Sequence, residues 1–201
     1  MRLLLLLCSA LVLLGVSADE ASSPYVTCGS AVKLLHAQTK FYLHSHEIAY
    51  GSGSGQQSVT GFPDSDDAGS LWTVKVDGCR QGDKVASGAA LRFFHVSTGK
   101  WLHSHNHRSP LSQQQEVSAY GSAQQSDKGD VWRVESKSGA AYWERDSPVL
   151  LVHVETGAAL SSSTKSYPRP IEGQHEVAGK QTRGGDCEWT AAEGVYYTPS
   201  A

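Results

Sequence analysis

One phrase of eleven residues occurs twice in this chain almost unchanged, as His36-Ala-Gln-Thr-Lys-Phe-Tyr-Leu43-His44-Ser45-His46 and as His95-Val-Ser-Thr-Gly-Lys-Trp101-Leu102-His103-Ser104-His105. A third copy, His153-Val-Glu-Thr-Gly-Ala-Ala-Leu160-Ser161-Ser162-Ser163, keeps the leading His, the Thr and the Leu but has three serines in place of His-Ser-His. The register extends outward. Val32, Leu91 and Val149 precede the leading His by four residues, and Trp72, Trp132 and Trp189 follow it by 36 or 37. Self-similarity at a fixed offset, here 59 and then 58 residues, means that one supersecondary unit is used three times, with each copy covering an apolar face its neighbour cannot cover alone.

The unit is built of strands. Val32 to His36, Leu91 to His95 and Val149 to His153 are short runs rich in branched and aromatic side chains. A turn at Thr-Lys or Thr-Gly leads from each into a second run, which is the pattern of a β-hairpin. Gln56 to Thr60 and Glu116 to Tyr120 read as third strands, and Leu71 to Val74 and Val131 to Val134 as fourth strands. No long helical period is present. About twelve strands with no edge to spare must close on themselves. A β-trefoil does so: an all-β fold with pseudo-threefold symmetry, in which three hairpins cap a six-stranded barrel. The expected division is 25–79, 83–138 and 139–194 for the three repeats, forming one domain.

Met1 and Arg2 followed by the apolar run Leu3 to Leu14 are too short for a comfortable bilayer span, and Val16-Ser17-Ala18 sets small residues where a signal peptidase cuts. Residues 1–18 therefore read as a cleaved secretory signal peptide, and no later stretch has membrane length. The formal net charge is −3, without a basic run, which speaks against nucleic acid. The only Asn, Asn106, is followed by His107 and Arg108, so N-glycans are not expected.

The chain resembles the stromal cell-derived factor 2 family, secretory-pathway proteins built from three MIR repeats in a β-trefoil. The resemblance runs from Val26-Thr-Cys-Gly-Ser30 through the two Leu-His-Ser-His phrases and Tyr50-Gly-Ser-Gly-Ser-Gly-Gln-Gln-Ser-Val-Thr-Gly61. It continues through Ser109-Pro-Leu-Ser112 and Glu116-Val-Ser-Ala119 to Gly173-Gln-His-Glu-Val177 and Glu193-Gly194. It implies a non-enzymatic co-chaperone subunit in the endoplasmic reticulum lumen, with luminal Hsp40 and Hsp70 chaperones and client glycoproteins as partners, no cofactor and no metal. Animal members commonly end in a His-Asp-Glu-Leu-like signal, whereas this sequence ends Tyr196 to Ala201. The expectation is therefore retention by a partner, and otherwise secretion.

Cys8 leaves with the signal peptide, so Cys28, Cys79 and Cys187 remain in an oxidising compartment. Cys28 lies just before the first strand of repeat one and Cys79 just after its Trp72, where a disulfide would staple the two ends of one lobe. The resemblance implies an analogous pair in repeat two of some relatives, at positions where this chain has Ser87 and Ser136. The alternative is three free, buried thiols.

In a strand, residues i and i+2 share a face, so His44 points with His46, and His103 with His105 and His107. Two imidazoles fall short of a zinc site without a third ligand. Two readings of the patch stay open. In one, the imidazoles hydrogen-bond loop backbone and fix each lobe. In the other, lobes one and two carry a ligand or partner surface that lobe three has lost. There His44, Ser45, His46, Gln56, Gln57, His103, Ser104 and His105 would be the polar contacts and Tyr50 or Trp101 an apolar platform, suited to mannose-type glycans in a lectin-like protein. Trp72, Trp132 and Trp189 read as core, while Trp101 and Trp143, which do not recur, leave a surface role open. Gly51 to Gly55 lacks the ending of a phosphate loop, and no nucleophile elbow is present, so no catalytic residue is identified.

Overall fold

The computed structural model describes residues 23–199; the signal peptide assigned to 1–18 lies outside them. Twelve strands form three lobes. Lobe one holds β1 (Ala31–His36), β2 (Tyr42–Ala49), β3 (Gln57–Phe62) and β4 (Trp72–Lys75). Lobe two holds β5 (Ala90–His95), β6 (Trp101–Arg108), β7 (Gln115–Tyr120) and β8 (Trp132–Ser136). Lobe three holds β9 (Val149–His153), β10 (Ala159–Ser166), β11 (His175–Lys180) and β12 (Glu188–Val195). A single 3₁₀ turn precedes the last strand of each lobe, at Ala68–Ser70, Lys128–Asp130 and Gly185–Cys187.

The pairing closes twice. The first and last strands of the lobes form a ring, β1–β4–β5–β8–β9–β12 and back to β1, all antiparallel. The middle strands form hairpins β2–β3, β6–β7 and β10–β11, and β3, β7 and β11 pair with one another around the axis. Such an arrangement leaves the barrel without an open edge, and it is a β-trefoil.

Alternation along the barrel strands explains the core. Val32 and Leu34, Leu91 and Phe93, and Val149 and Leu151 face inward, each at most 1% exposed. Burying side chains of this size contributes roughly 1.5–3 kcal/mol each. Trp72, Trp132 and Trp189 are fully buried beneath them. Their indole N–H groups donate to the carbonyls of Leu43, Leu102 and Leu160 at 2.9, 2.9 and 3.0 Å, tying each lobe's last strand to its own hairpin.

Trp143 is also fully buried, edge-on to Phe93, and so has no surface role. Short bridges join the segments around Val26, Val85 and Trp143. Trp143 thus fills the place that Val26 and Val85 hold in the other two lobes, although the residue type does not recur. Cys28 and Cys79 form a disulfide that closes lobe one, and Cys187 is free and buried. In lobe two Ser87 holds the place of Cys28, and its Oγ accepts from the Ser136 backbone N–H at 3.0 Å. The strand registers set Ser136 level with Val76 and not with Cys79, so Ser136 is not the second half of an analogous pair.

Candidate functional site

Two sets of histidines lie under the hairpins, and they do different work. His36, His95 and His153, the leading residues of the repeats, are all 0% exposed. Their Nε2 atoms lie 3.0, 2.7 and 3.0 Å from the backbone oxygens of Asp186, Gly69 and Gly129. A carbonyl only accepts, so each Nε2 carries the proton and donates. Each Nδ1 then accepts from the hydroxyl of Thr39, Thr98 or Thr156, at 2.8–2.9 Å. The carbonyl partner always belongs to the 3₁₀ turn of the neighbouring lobe. Lobe one thus holds lobe three, lobe two holds lobe one, and lobe three holds lobe two. Burial pushes all three imidazoles below their ordinary pKa, against the opposing effect of those carbonyls, and keeps them neutral.

The His-Ser-His residues sit one layer above. Alternation gives Leu43 and Ser45 to the interior, but the other face of β2 is covered too, by the turn at Ala68–Ser70, so that Leu43, His44 and Ser45 are all buried. His44 Nδ1 lies 2.6 Å from Asp67 Oδ2, and its Nε2 lies 2.9 Å from His46 Nδ1. His46 Nε2 in turn lies 3.0 Å from Ser58 Oγ. Burial lowers the pKa of His44, with Asp67 opposing, and lowers that of His46 to about 4, helped by His44 and His95. The chain Asp67–His44–His46–Ser58 has the order of a hydrolase relay, yet its terminal hydroxyl is fully buried and also donates to the Ile48 carbonyl. It offers no accessible nucleophile.

Lobe two repeats the plan with other acids. His103 Nδ1 lies 2.9 Å from Asp130 Oδ1, and His105 Nε2 lies 3.0 Å from Glu116 Oε1. Both carboxylates are 0% exposed. Asp130 Oδ2 also caps its own turn, accepting from the Asp127 N–H and the Ser126 hydroxyl. The Gly51–Gly55 loop of lobe one reaches over Glu116, where the Ser54 N–H and hydroxyl both donate to it. A Cβ on Gly53 would stand 1.9 Å from Glu116 Oε2, and Gly53 has φ +71. Close approach to a buried carboxylate, and not phosphate binding, is what that glycine allows. Burial alone would raise the Glu116 carboxyl, but bonds from His105 and Ser54 outweigh it and hold the group below the ordinary carboxylate range. His103, Asp127 and Asp130 place ligand atoms within 4.8 Å of one another. Those carboxylate oxygens already serve His103 and the backbone of the turn.

The remaining predicted residues tie hairpins together or join one lobe to the next. Ser45, Ser104 and Ser162 donate to the carbonyls of Ser58, Glu116 and Glu176 inside their own hairpins. Gln57 bridges Ser45 to Thr98 of lobe two, and Gln115 bridges Ser104 to Thr156 of lobe three. Gln56 Oε1 accepts from Ser118 across the axis. Tyr50 and Trp101 are not the exposed platforms expected of them. Tyr50 is 6% exposed and its hydroxyl lies between the carbonyls of Val59 and Val117; Trp101 is 9% exposed and its indole N–H donates to Ser122. Both residues carry a polar tip that backbone groups satisfy in the interior, which lets their rings be buried.

Lobe three differs at several linked positions that reading the phrase alone had missed. Gly69 and Gly129 lie against His44 and His103, where a Cβ would meet the imidazole Cε1 at 2.5 and 2.3 Å. Lobe three has Asp186 at this position and Ser161 in place of the imidazole. Phe62 and Tyr120 pack on those imidazoles, and Lys180 replaces them, pairing with Asp186 at 2.5 Å. The joint change of His to Ser and Gly to Asp is the signal in the sequence that marks these residues as contacts.

The MIR domain family model matches residues 24–188. The stromal cell-derived factor 2-like protein of Arabidopsis thaliana is 51% identical over 174 residues, covering 85% of this chain and 80% of the relative. The stromal cell-derived factor 2-like protein 1 of Mus musculus is 47% identical over 187 residues, covering 92% and 84%. The crystal structure of the SDF2-like protein from Arabidopsis thaliana superimposes with a TM-score of 0.85 at 48% identity, covering 87% of this chain and 98% of that one.

Proposed function

The chain belongs to the stromal cell-derived factor 2 family of MIR-domain proteins, and from that premise we propose that it is a non-enzymatic subunit of the luminal chaperone machinery. It would act in the secretory pathway through protein contacts with Hsp40 and Hsp70 chaperones that handle client glycoproteins. The observation that carries this reading is the closure of both His-Ser-His clusters. His44 and His103 are buried and His46 and His105 half-buried, and all four are bonded to one another, to acids beside them or to a neighbouring hydroxyl, so the first two lobes offer rigidity more than chemistry to a second molecule.

What the surface does offer is an apolar basin of about 240 Å³ at the end of the axis, where loops from all three lobes meet. Ile48, Pro110, Leu111, Pro168, Pro170 and Ile171 line it. A contiguous apolar depression of this kind suits a protein partner. Among the described residues no helix is long and apolar enough to cross a membrane.

The test is affinity purification of the protein from its own secretory pathway, before and after endoglycosidase treatment of the extract. Stoichiometric recovery of luminal Hsp40 and Hsp70 in both samples is expected. Recovery of a broad glycoprotein set that disappears on deglycosylation would replace the co-chaperone reading with the lectin reading.

A further inference from the structure

The end of the pseudo-threefold axis carries two aromatic rings where the symmetry has three places. Tyr50, Ser109 and Tyr167 each follow the second strand of their lobe directly, and their backbone N–H groups donate to the carbonyls of Gln56, Gln114 and Gln174 at 2.8–2.9 Å. The tyrosines of lobes one and three stand with ring centroids 6.2 Å apart and pack with Ile48, Leu111 and Ile171 into a cluster separate from the main core. Lobe two contributes no ring; Pro110 and Leu111 close its side of the apolar basin.

The two hydroxyls differ although their places match. That of Tyr50 is engaged by the carbonyls of Val59 and Val117 and by the Val59 N–H. Tyr167 is 6% exposed, and its buried hydroxyl has no hydrogen-bond partner among the described residues. A buried hydroxyl without a partner is costly, and the Tyr167 side chain is part of the basin's lining. An acceptor brought in by whatever fills the basin would relieve that cost.

Shape and charge narrow the occupant. At about 240 Å³ the basin exceeds the ~150 Å³ of an apolar cavity that holds a benzene ring, but a helix about 10–12 Å across does not enter it. One large apolar side chain does, and contact with the Tyr50 and Tyr167 rings favours an aromatic one. Arg169 is the only charged residue of the lining. Its partner Glu172 lies 3.3 Å away with both side chains in water, 91% and 70% exposed, a pairing that contributes little. The guanidinium is therefore open to a carboxylate from outside. Resting on the basin's proposed role as a protein contact, we infer that it takes one aromatic side chain from an extended segment of a partner protein. A backbone carbonyl of that segment accepts from the Tyr167 hydroxyl, and an acidic residue next to the aromatic one meets Arg169.

The test is titration of the isotopically labelled mature chain, followed by backbone amide shifts, with the peptide acetyl-Gly-Glu-Phe-Gly-amide and with its analogues carrying Ala for Phe or Lys for Glu. Saturable shifts centred on Ile48, Leu111, Arg169 and Ile171 are expected at about millimolar peptide. Ala for Phe should weaken binding by about tenfold or more, and Lys for Glu by about threefold or more. Tyr167→Phe removes a hydroxyl that nothing in the free protein satisfies, so the thermal midpoint should stay level or rise while the Phe peptide binds about threefold to tenfold more weakly. Unchanged affinity in Y167F, or no saturable shift at the basin with any of the peptides, would overturn the assignment. So would shifts there on raising the protein concentration alone, which would identify a second copy as the occupant. Absence of peptide binding with luminal chaperones still recovered would sink this inference and leave the proposed function standing; peptide binding with no chaperone recovered would do the reverse.

Discussion

His95 Nε2 stands 2.7 Å from the carbonyl oxygen of Gly69, and the two residues belong to different lobes. The same bond joins His153 to Gly129 and His36 to Asp186, so the three-lobed body is closed by a ring of three neutral imidazoles. Each ring also lies 4.6–5.1 Å from the tryptophan of the lobe it holds.

Replacing any one of these imidazoles should therefore harm the whole domain. His95→Ala removes two hydrogen bonds, leaves the Gly69 carbonyl without its donor and opens a cavity beside Trp72. A loss of about 3 kcal/mol is expected, read as a fall in the urea midpoint of a single cooperative transition. A loss of under 1 kcal/mol would mean that the joints do not depend on the clamp.

Acid should unfold the protein through the same residues. Burial lowers the pKa of His36, His44, His95, His153 and His175, and that of His46 to about 4. The unfolded chain titrates near 6.5, so below that pH it binds more protons than the folded one, and stability falls as pH falls. The loss should begin near pH 6.5 and continue toward 4, at up to about 1.4 kcal/mol per pH unit for each group that stays neutral. Glu116, whose pKa is depressed, adds to the loss below about 4.5 with the same sign. Urea midpoints should be level between pH 7 and 8 and decline steadily beneath; a flat profile down to pH 5 would refute the neutral assignment.

The packing of Gly129 on His103 yields a double-mutant cycle. Gly129→Ala puts a methyl group into the imidazole and should cost about 2 kcal/mol. In the background of His103→Ser, which copies lobe three, the same substitution should cost at least about 1 kcal/mol less, the remainder coming from the Ser104 carbonyl oxygen, which the Cβ would still meet at 2.9 Å. Equal costs in the two backgrounds would show that the ring and the turn are not coupled.

The disulfide closes a loop with a sequence separation of 51. In the chain-entropy account, loss of such a link costs about 4 kcal/mol. Cys28→Ser with Cys79→Ser should lower the thermal midpoint accordingly, whereas Cys187, fully buried, should react with a thiol reagent only when the chain unfolds. Rapid labelling of Cys187 in the native protein would contradict its burial.

Much of the architecture was legible because a repeat makes three independent statements of the same pattern. Val32, Leu91 and Val149 had to share an environment, and they do. The role of the His-Ser-His phrase was not legible, for a physical reason. Alternation assigns residues to two faces of a strand but does not say whether the second face is covered. Here it is covered by a turn more than twenty residues downstream, with Asp67 and Asp130 at different positions in that turn. The two imidazoles therefore read as a patch until their acids are placed. Tyr50 and Trp101 misled in the same way: an aromatic ring with a polar tip looks like a platform in sequence, and the backbone carbonyl that satisfies the tip in the interior cannot be seen there.

The ring of clamps also bears on how three copies of one ancestral unit could grow apart. Each clamp is shared by two copies and uses a leading His, a Thr and a backbone carbonyl, so it makes no demand on the residue types at the His-Ser-His positions. Lobe three has serines, an aspartate and a lysine where the other two have imidazoles, a glycine and an aromatic ring, and His36 still holds the backbone of Asp186. A backbone carbonyl is indifferent to which side chain follows it. Duplication thus left this fold with one lobe free to change its contents while the other two maintained the shape.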